Sequence, residues 1–354
     1  MLSIQSTSNH VFLYSLAFAA LTSRDVQIET DQHRPGSNGL SVSGLALTKA
    51  FLKLTAAESE GVSLGSKCIK LFPGVIQSGS YTIHLGNGNS ISEFLVVALL
   101  GCCFASDTTH LKVTGASDRA GSISIDYFEK VLLPFYKQFA DFKWRLVTRD
   151  FEPGGRAKLD LVIKPKHKIT HEEFYSKGSQ TVLTPLDLSK KGKIDSICGV
   201  SVASKDLSER FVAERQITGV RQAFADQGYQ VKIKKEYVQT SATGTAVTLW
   251  VRSREEGELL PVTIGSYSYG ERSKRAEFVG ADAAEDLMDE FERGGVVDSE
   301  LSKHLLPVLS LTGGRFLAAE VGKSHNLVIE LIKIFGLPEV GVKTEGDSEL
   351  LISL

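Results

Sequence analysis

The sequence predicts an α+β fold, and three observations carry that expectation. Apolar residues recur at helical spacing in several long stretches, short alternating or β-branched runs lie between them, and the order comes round three times. Helices interleaved with groups of strands argue for packed layers rather than a helix bundle.

The first round covers residues 9–85, with helical spacing at about 9–22 and 40–57 and VQIE, KCIKLF and YTIHL as strands. The second covers 89–163, with helices at about 89–105 and 122–140 and the strands HLKVTG, WRLVTR and KLDLVI. The third occupies 265–354, with helices at about 275–293, 298–311 and 325–335 and the strands FLAAEV and ELLISL. It is interrupted. PLDLSKKGKIDS opens a strand–helix–strand–strand pattern of its own, which ends near Pro261–Gly265. Residues 186–266 are therefore read as a small αβ domain inserted in the third unit, and 1–185 with 267–354 as the large domain. The helix of the insert, about 206–227, is signalled by SKDLSERFVAERQ. There Ser204 is a candidate cap, and Leu207, Phe211 and Val212 are expected to point inward.

At 354 residues and 42% hydrophobic, the chain can bury a large core. Its net charge of −2 is not that of a bulk polyanion binder. The charge is uneven, however: residues 143–193 carry twelve Lys/Arg against six acids, a basic segment able to steer a nucleic acid. Residues 276–300 carry nine acids against Arg293, a candidate helical face for a protein partner. Cys68, Cys102, Cys103 and Cys198 show no paired spacing, and Cys102 and Cys103 sit in the apolar run FLVVALLGCCFA, which points to buried thiols in a reducing compartment and to no zinc site. VFLYSLAFAAL is too short to span a bilayer and lacks a positive leader, so a soluble intracellular protein, cytoplasmic or nuclear, is expected, with no membrane role.

Several stretches, in colinear order, resemble the RNA 3′-terminal phosphate cyclase family: AALTSRDVQIE (19–29), SIDYFEKVLLPFYKQF (124–139), FEPGGRAKLDLVI (151–163), VAERQ (212–216) and GERSKRAEFVGADAAEDLMDEFERGGVVDSELSKHLLPVLSLTGG (270–314). The resemblance implies three repeated units, each a four-stranded sheet backed by two helices, with a small αβ domain inserted in the third. It also implies a chemistry: a histidine attacks the α-phosphate of ATP and becomes adenylylated. AMP then passes to an RNA 3′-phosphate, and the 2′-hydroxyl closes a 2′,3′-cyclic end. That needs a neutral imidazole, a group to orient it, and cations, usually including a divalent metal, to neutralise phosphate charge.

The chain departs from the family at these parts. An acid and a GGGQ run become Ser6 and Thr7, Ser8, Asn9, His10, and the arginine one turn later becomes Leu13. TDQHRPGSNGL keeps Gly39–Leu40 of an R-A-G-R-x-x-P-G-L loop but puts Gln32 and Pro35 at its arginines, leaving Arg34 or His33 as candidate phosphate contacts. GNGNSIS stands for G-T-A-G-S-V-T, so Gly86, Asn87, Gly88 and Ser90 are candidate nucleotide contacts at a helix N-terminus, with capping by Ser90 as the plainer role. Arg149, Arg156 and Lys158, with Arg315, are candidate RNA-backbone contacts. The aspartate of L-A-D-Q-L becomes Lys303, which reverses the local field. The catalytic histidine aligns with Ser324, leaving His325 one residue out of register; as a plain helix residue it would be partly exposed behind a Ser324 cap. No residue is singled out as a metal ligand.

Three functional readings follow. The chain is a cyclase-fold protein without cyclisation, acting in RNA binding or assembly; or an active ATP-dependent cyclase of the ligase class, with His325 as nucleophile and Arg34, Arg156 or Arg315 as cations; or a protein scaffold using the acidic 276–300 face. ATP and a divalent metal accompany the second reading alone.

Overall fold

A computed structural model describes residues 1–30, 39–167, 183–345 and 348–353. It is a mixed α+β fold with four small sheets. The first stretch of chain supplies β1 (Leu2–Gln5), α1 (Asn9–Thr22), β2 (Val26–Glu29), α2 (Val42–Thr55), β3 (Glu58–Glu60) and β4 (Cys68–Phe72). The next supplies β5 (Gly79–His84), α3 (Ile91–Cys103), β6 (Thr109–Gly115), α4, β7 (Ala140–Thr148) and β8 (Ala157–Pro165). Helix α4 opens at Ile125–Tyr127, widens into a π turn at Phe128–Leu132 and closes at Leu133–Tyr136. Then come β9 (Leu186–Leu188), β10 (Lys193–Ser204), α5 (Val212–Ala223), β11 (Val231–Val238), β12 (Thr245–Glu255), β13 (Glu258–Leu259), β14 (Gly265–Tyr269) and α6 (Ala276–Glu292). The chain finishes with α7 (Ser299–Thr312), β15 (Gly314–Ala318), α8 (Lys323–Ile334), β16 (Val340–Glu345) and β17 (Ser348–Ser353).

Three sheets share one strand order. β1 runs parallel to β2, β2 antiparallel to β4, and β4 antiparallel to β3. β5, β6, β8 and β7 repeat those relations, and so do β9, β15, β17 and β16. The parallel pair in each sheet requires a crossover, which α1, α3 and α7 provide. The fourth sheet is centred on β10, parallel to β11 and antiparallel to β12, which also holds β13 and β14.

The sheets bury one face each. In β6, Thr109, Leu111 and Val113 point into the core while His110 and Lys112 face water, the two-residue alternation of a half-buried strand. Helices α1 and α3 are buried on every side, which explains their unbroken apolar runs. Cys102 and Cys103 lie in α3, and burial pushes the Cys102 thiol up to about 12. Serine caps start these helices: Ser8, Ser41, Ser90 and Ser124 accept backbone N–H bonds at α1, α2, α3 and α4.

The insert's helix starts later than the periodicity predicts. Residues 205–210 form a 3₁₀ turn, and Phe211 sits in the left-handed region at φ 52, 61% exposed rather than facing inward. Only Val212 of the expected trio is fully buried. Strand β9 pairs with β15 rather than with the β10–β14 sheet. Helix α6, meanwhile, packs its Val279, Ala283 and Leu287 into the core of that sheet. No described helix is long and apolar enough to cross a membrane.

Helices α5 and α6 cross where neither has a side chain. A Cβ on Gly219 would lie 1.9 Å from the Glu277 carbonyl oxygen, and one on Gly280 would lie 2.0 Å from that of Gln216. A backbone carbonyl cannot swing aside. Gly280→Ala should therefore lose about 1–2 kcal/mol net, overpacking outweighing the roughly 1 kcal/mol that alanine gains in helix propensity. Urea unfolding of the variant checks this, and an unchanged or raised midpoint refutes it.

Candidate functional site

Two polar constellations lie at helix starts. The first is a cleft of about 560 Å³ lined by Thr7, Asn9, Gly39, Ser41, Glu93 and Arg119, among others. The first turns of α1, α2 and α3 all contribute to it. Glu93 is buried, accepting from Asn9 Nδ2 at 2.9 Å and from Arg119 at 3.2 Å. Arg119 also lies 3.5 Å from Glu152. The cleft therefore holds a carboxylate already matched by its guanidinium. Sequence reasoning missed both residues, although Ser90-x-x-Glu93 has the spacing of a capping box, a local signal for the start of α3.

The second constellation is built on the first turns of α7. Asp298 caps that helix, accepting from the N–H groups of Glu300 and Leu301. Glu300 Oε2 takes Lys303 at 2.8 Å, and its Oε1 lies 3.2 Å from His304 Nε2. Because a carboxylate only accepts, His304 Nε2 carries the proton. Its Nδ1 then accepts from the Tyr14 hydroxyl at 2.6 Å. Burial alone would raise Glu300, but the hydrogen bonds from His304 and Lys303 and the charge of Lys303 hold it well below the usual carboxylate range. His10, at the start of α1, stands with its ring centroid 6.4 Å from that of His304.

His325 completes the group from the start of α8. It is 5% exposed, so buried rather than partly exposed, and the helix is capped at Gly322 rather than Ser324. Its Nδ1 accepts the Gly322 N–H at 3.1 Å, so the histidine acts like the glutamate of a capping box. Its Nε2 lies 2.7 Å from Ser302 Oγ, and that hydroxyl donates to the Ser299 carbonyl at 3.1 Å. Burial, reinforced by the Lys303 ammonium, pushes His325 down to about 4, so the ring is neutral near pH 7. With Nδ1 accepting, the one ring proton sits on Nε2 and is donated to Ser302. Both ring nitrogens are thus engaged. Nothing local in the sequence signals Ser302 or Tyr14, since each meets its histidine from a distant segment.

The other candidates separate. Arg34 and His33 lie outside the described residues. Gly88 donates its N–H to the Gly154 carbonyl at 2.6 Å, and Ser90 caps α3, so the Gly86–Asn87–Gly88 turn packs on the FEPGGRAK loop. Arg149 is only 9% exposed, held by Asp126 at 2.6 Å and near Glu236 and Asp118. Burial opposes its charge, but Asp126 outweighs that and raises the guanidinium above its ordinary value. It is a structural ion pair. Arg156 and Lys158 are exposed at the start of β8, and Arg315 lies 3.4 Å from Asp187. Of the acidic segment, Glu277 is paired with Arg215 and Asp282 with Lys274, while Glu285, Asp286 and Asp289 are exposed on α6. Among the described residues, no three His, Cys, Asp or Glu side chains are grouped to hold a metal ion.

Fold and site together define a class, a helix-cored α+β protein whose polar sites sit where helices begin. The residues 5–341 match the family model described as RNA 3′-terminal phosphate cyclase, and the chain belongs to that family. It is 27% identical over 313 residues to the RNA 3′-terminal phosphate cyclase of Pyrococcus furiosus, covering 87% of this chain and 84% of that protein. Against the RNA 3′-terminal phosphate cyclase of Staphylothermus marinus it is 29% identical over 347 residues, covering 95% and 91%.

The neutral histidines have a pH consequence. Both His10 and His325 are held near 4 in the fold, below the ordinary value of 6.5. Between those values the unfolded chain takes up protons that the folded site refuses. Their contribution to stability is therefore full above pH 6.5 and shrinks as pH falls toward 4. Asp118 and Asp298, raised to about 6 and about 7 by burial, act in the opposite direction, so the histidine contribution is read by difference: from pH 6.5 to 4 the urea midpoint of the unaltered protein should fall relative to that of a His10→Gln/His325→Gln double variant. An equal slope in the double variant would sink the assignment.

Proposed function

We propose that this protein keeps the RNA 3′-terminal phosphate cyclase fold without the ATP-dependent cyclisation, and serves as an RNA-binding or assembly factor. The observation that carries this is the engagement of both His325 nitrogens, by Gly322 and by Ser302. A nucleophilic imidazole needs a free lone pair aimed at phosphorus, and this ring has none to offer without breaking its cap. The surroundings support the same reading. Lys303 stands where an orienting aspartate is expected, and Glu93 puts a carboxylate in the cleft where an anion would have to enter. The residues present do not fit a histidine–AMP step, and ATP and a divalent metal have no role in this reading.

The same reading treats the chain as three repeats of one unit with a small αβ domain inserted in the third. The shared strand order of three sheets supports the repeats. Packing of α6 on the fourth sheet supports a return to the third unit after Glu292 rather than at residue 266. The exposed acids of α6 leave a face for a protein partner within an assembly role.

Incubation with ATP labelled at the α-phosphate, with magnesium or manganese, should leave no covalent label on the protein. A labelled band that disappears in His325→Ala would overturn the proposal and restore the active-cyclase reading.

A further inference from the structure

The basic character of residues 143–193 divides once the chain is folded. Arg149 turns inward to Asp126, but Lys143, Arg145, Lys158 and Lys164 are exposed on β7 and β8. The strand register adds a residue from outside the basic segment: Lys112 of β6 pairs with Asp160 of β8, which pairs in turn with Arg145 of β7. One row along, Lys158 lies between Thr114 and Thr148. Neighbouring strands are about 4.8 Å apart, so these cations share a single flat face.

None of these five cations has a carboxylate partner among the described residues, whereas Arg119, Arg149, Arg215 and Arg254 are all paired. The face holds two acids. Asp160 stands between Lys112 and Arg145, and Asp141, which pairs with Lys164 in the register, is bridged to Lys166. Two exposed histidines, His84 and His110, lie on the same side. The corresponding face of the β1–β4 sheet carries Glu29, Glu58 and Glu60 against Lys70. The β1–β4 face carries no such excess of positive charge.

We propose that the solvent face of the β5–β8 sheet is a docking surface for the phosphate backbone of RNA, with Lys112, Arg145 and Lys158 at its centre. This rests on the RNA-binding reading above and assigns it a location. Charge complementarity argues for a polyanion, and the family for RNA. The face has lysine, arginine, histidine and hydroxyl groups but no exposed aromatic ring on its strands, so contacts would follow the backbone without stacking on bases. Binding should therefore be salt-dependent and indifferent to sequence.

The test uses the full chain and a 5′-fluorescein-labelled, mixed-sequence single-stranded RNA, with anisotropy measured across a salt series. Lys112→Gln/Arg145→Gln/Lys158→Gln should bind at least about tenfold more weakly, with a log–log salt slope shallower by about 2. The control Lys49→Gln/Lys205→Gln/Lys333→Gln, which removes as many exposed cations elsewhere, should bind like the unaltered protein. Acetylation of the unaltered protein gives a readout that needs no variant: RNA should protect Lys112, Lys143, Lys158 and Lys164 more than Lys49. RNA binding that survives the first triple variant overturns the location and leaves the RNA reading standing. An unaltered protein that does not bind RNA overturns both. Protection of the same lysines by polyglutamate but not by RNA would also overturn the proposal, in favour of an acidic protein.

Discussion

The buried carboxylate of Asp298 joins three parts of the chain. It accepts from the Tyr127 hydroxyl at 2.7 and 2.9 Å, from the Gly265 N–H at 2.8 Å, and from the N–H groups that open α7. Tyr127 belongs to α4 and Gly265 to β14, so the junction fixes the start of α7 against two other layers. Burial pushes this carboxyl up to about 7, and the hydrogen bonds from Leu301, Tyr127 and Gly265 pull against that shift by favouring the ionised form. Glu300, Ser302, Lys303 and His304 all ride on the next turn and a half. Their positions relative to α1 and α8 follow from this one cap.

From that anchor the histidine cluster forms a closed set of hydrogen bonds. Glu300 balances Lys303 and orients His304; Tyr14 completes His304; Ser302 and Gly322 complete His325. Fully satisfied buried polar groups stabilise a single arrangement and are costly to disturb. The cleft beside it follows the same logic on a smaller scale, Glu93 being matched by Arg119 and Asn9. In the cleft the charges are matched, although Arg119 Nε is buried without a hydrogen-bond partner and lies 3.5 Å from Glu152. Lys112, Arg145 and Lys158, which have no carboxylate partner among the described residues, lie elsewhere, on the open face of the β5–β8 sheet.

Much of the fold was legible in the sequence because its signals are local. The alternation in THLKVTG gave β6, the unbroken apolar runs gave α1 and α3, and Ser90 announced the start of α3. The insert's helix was misjudged at Phe211 because a 3₁₀ turn and a left-handed residue carry no periodic mark. The site was far less legible. His325 and Lys303 were singled out by comparison with a family, but Ser302 lies 23 positions from His325 and Tyr14 lies 290 from His304. Arg149 looked like its basic neighbours until folding set it beside Asp126. Pairings of that kind are decided by tertiary packing, which neighbouring residues do not encode.

The Gly322 contact has a bearing on how this site could change. One of the two bonds holding His325 comes from main chain, so among replacements at residue 322 only proline, which lacks the N–H, removes it. Replacing Ser302 would free only the nitrogen that carries the proton, exposing a donor rather than a lone pair. Freeing a lone pair on His325 itself would take that proline exchange or a rebuilding of the turn before α8. Single-base changes do not make that kind of step, so the present state of His325 behaves as a ratchet in sequence space.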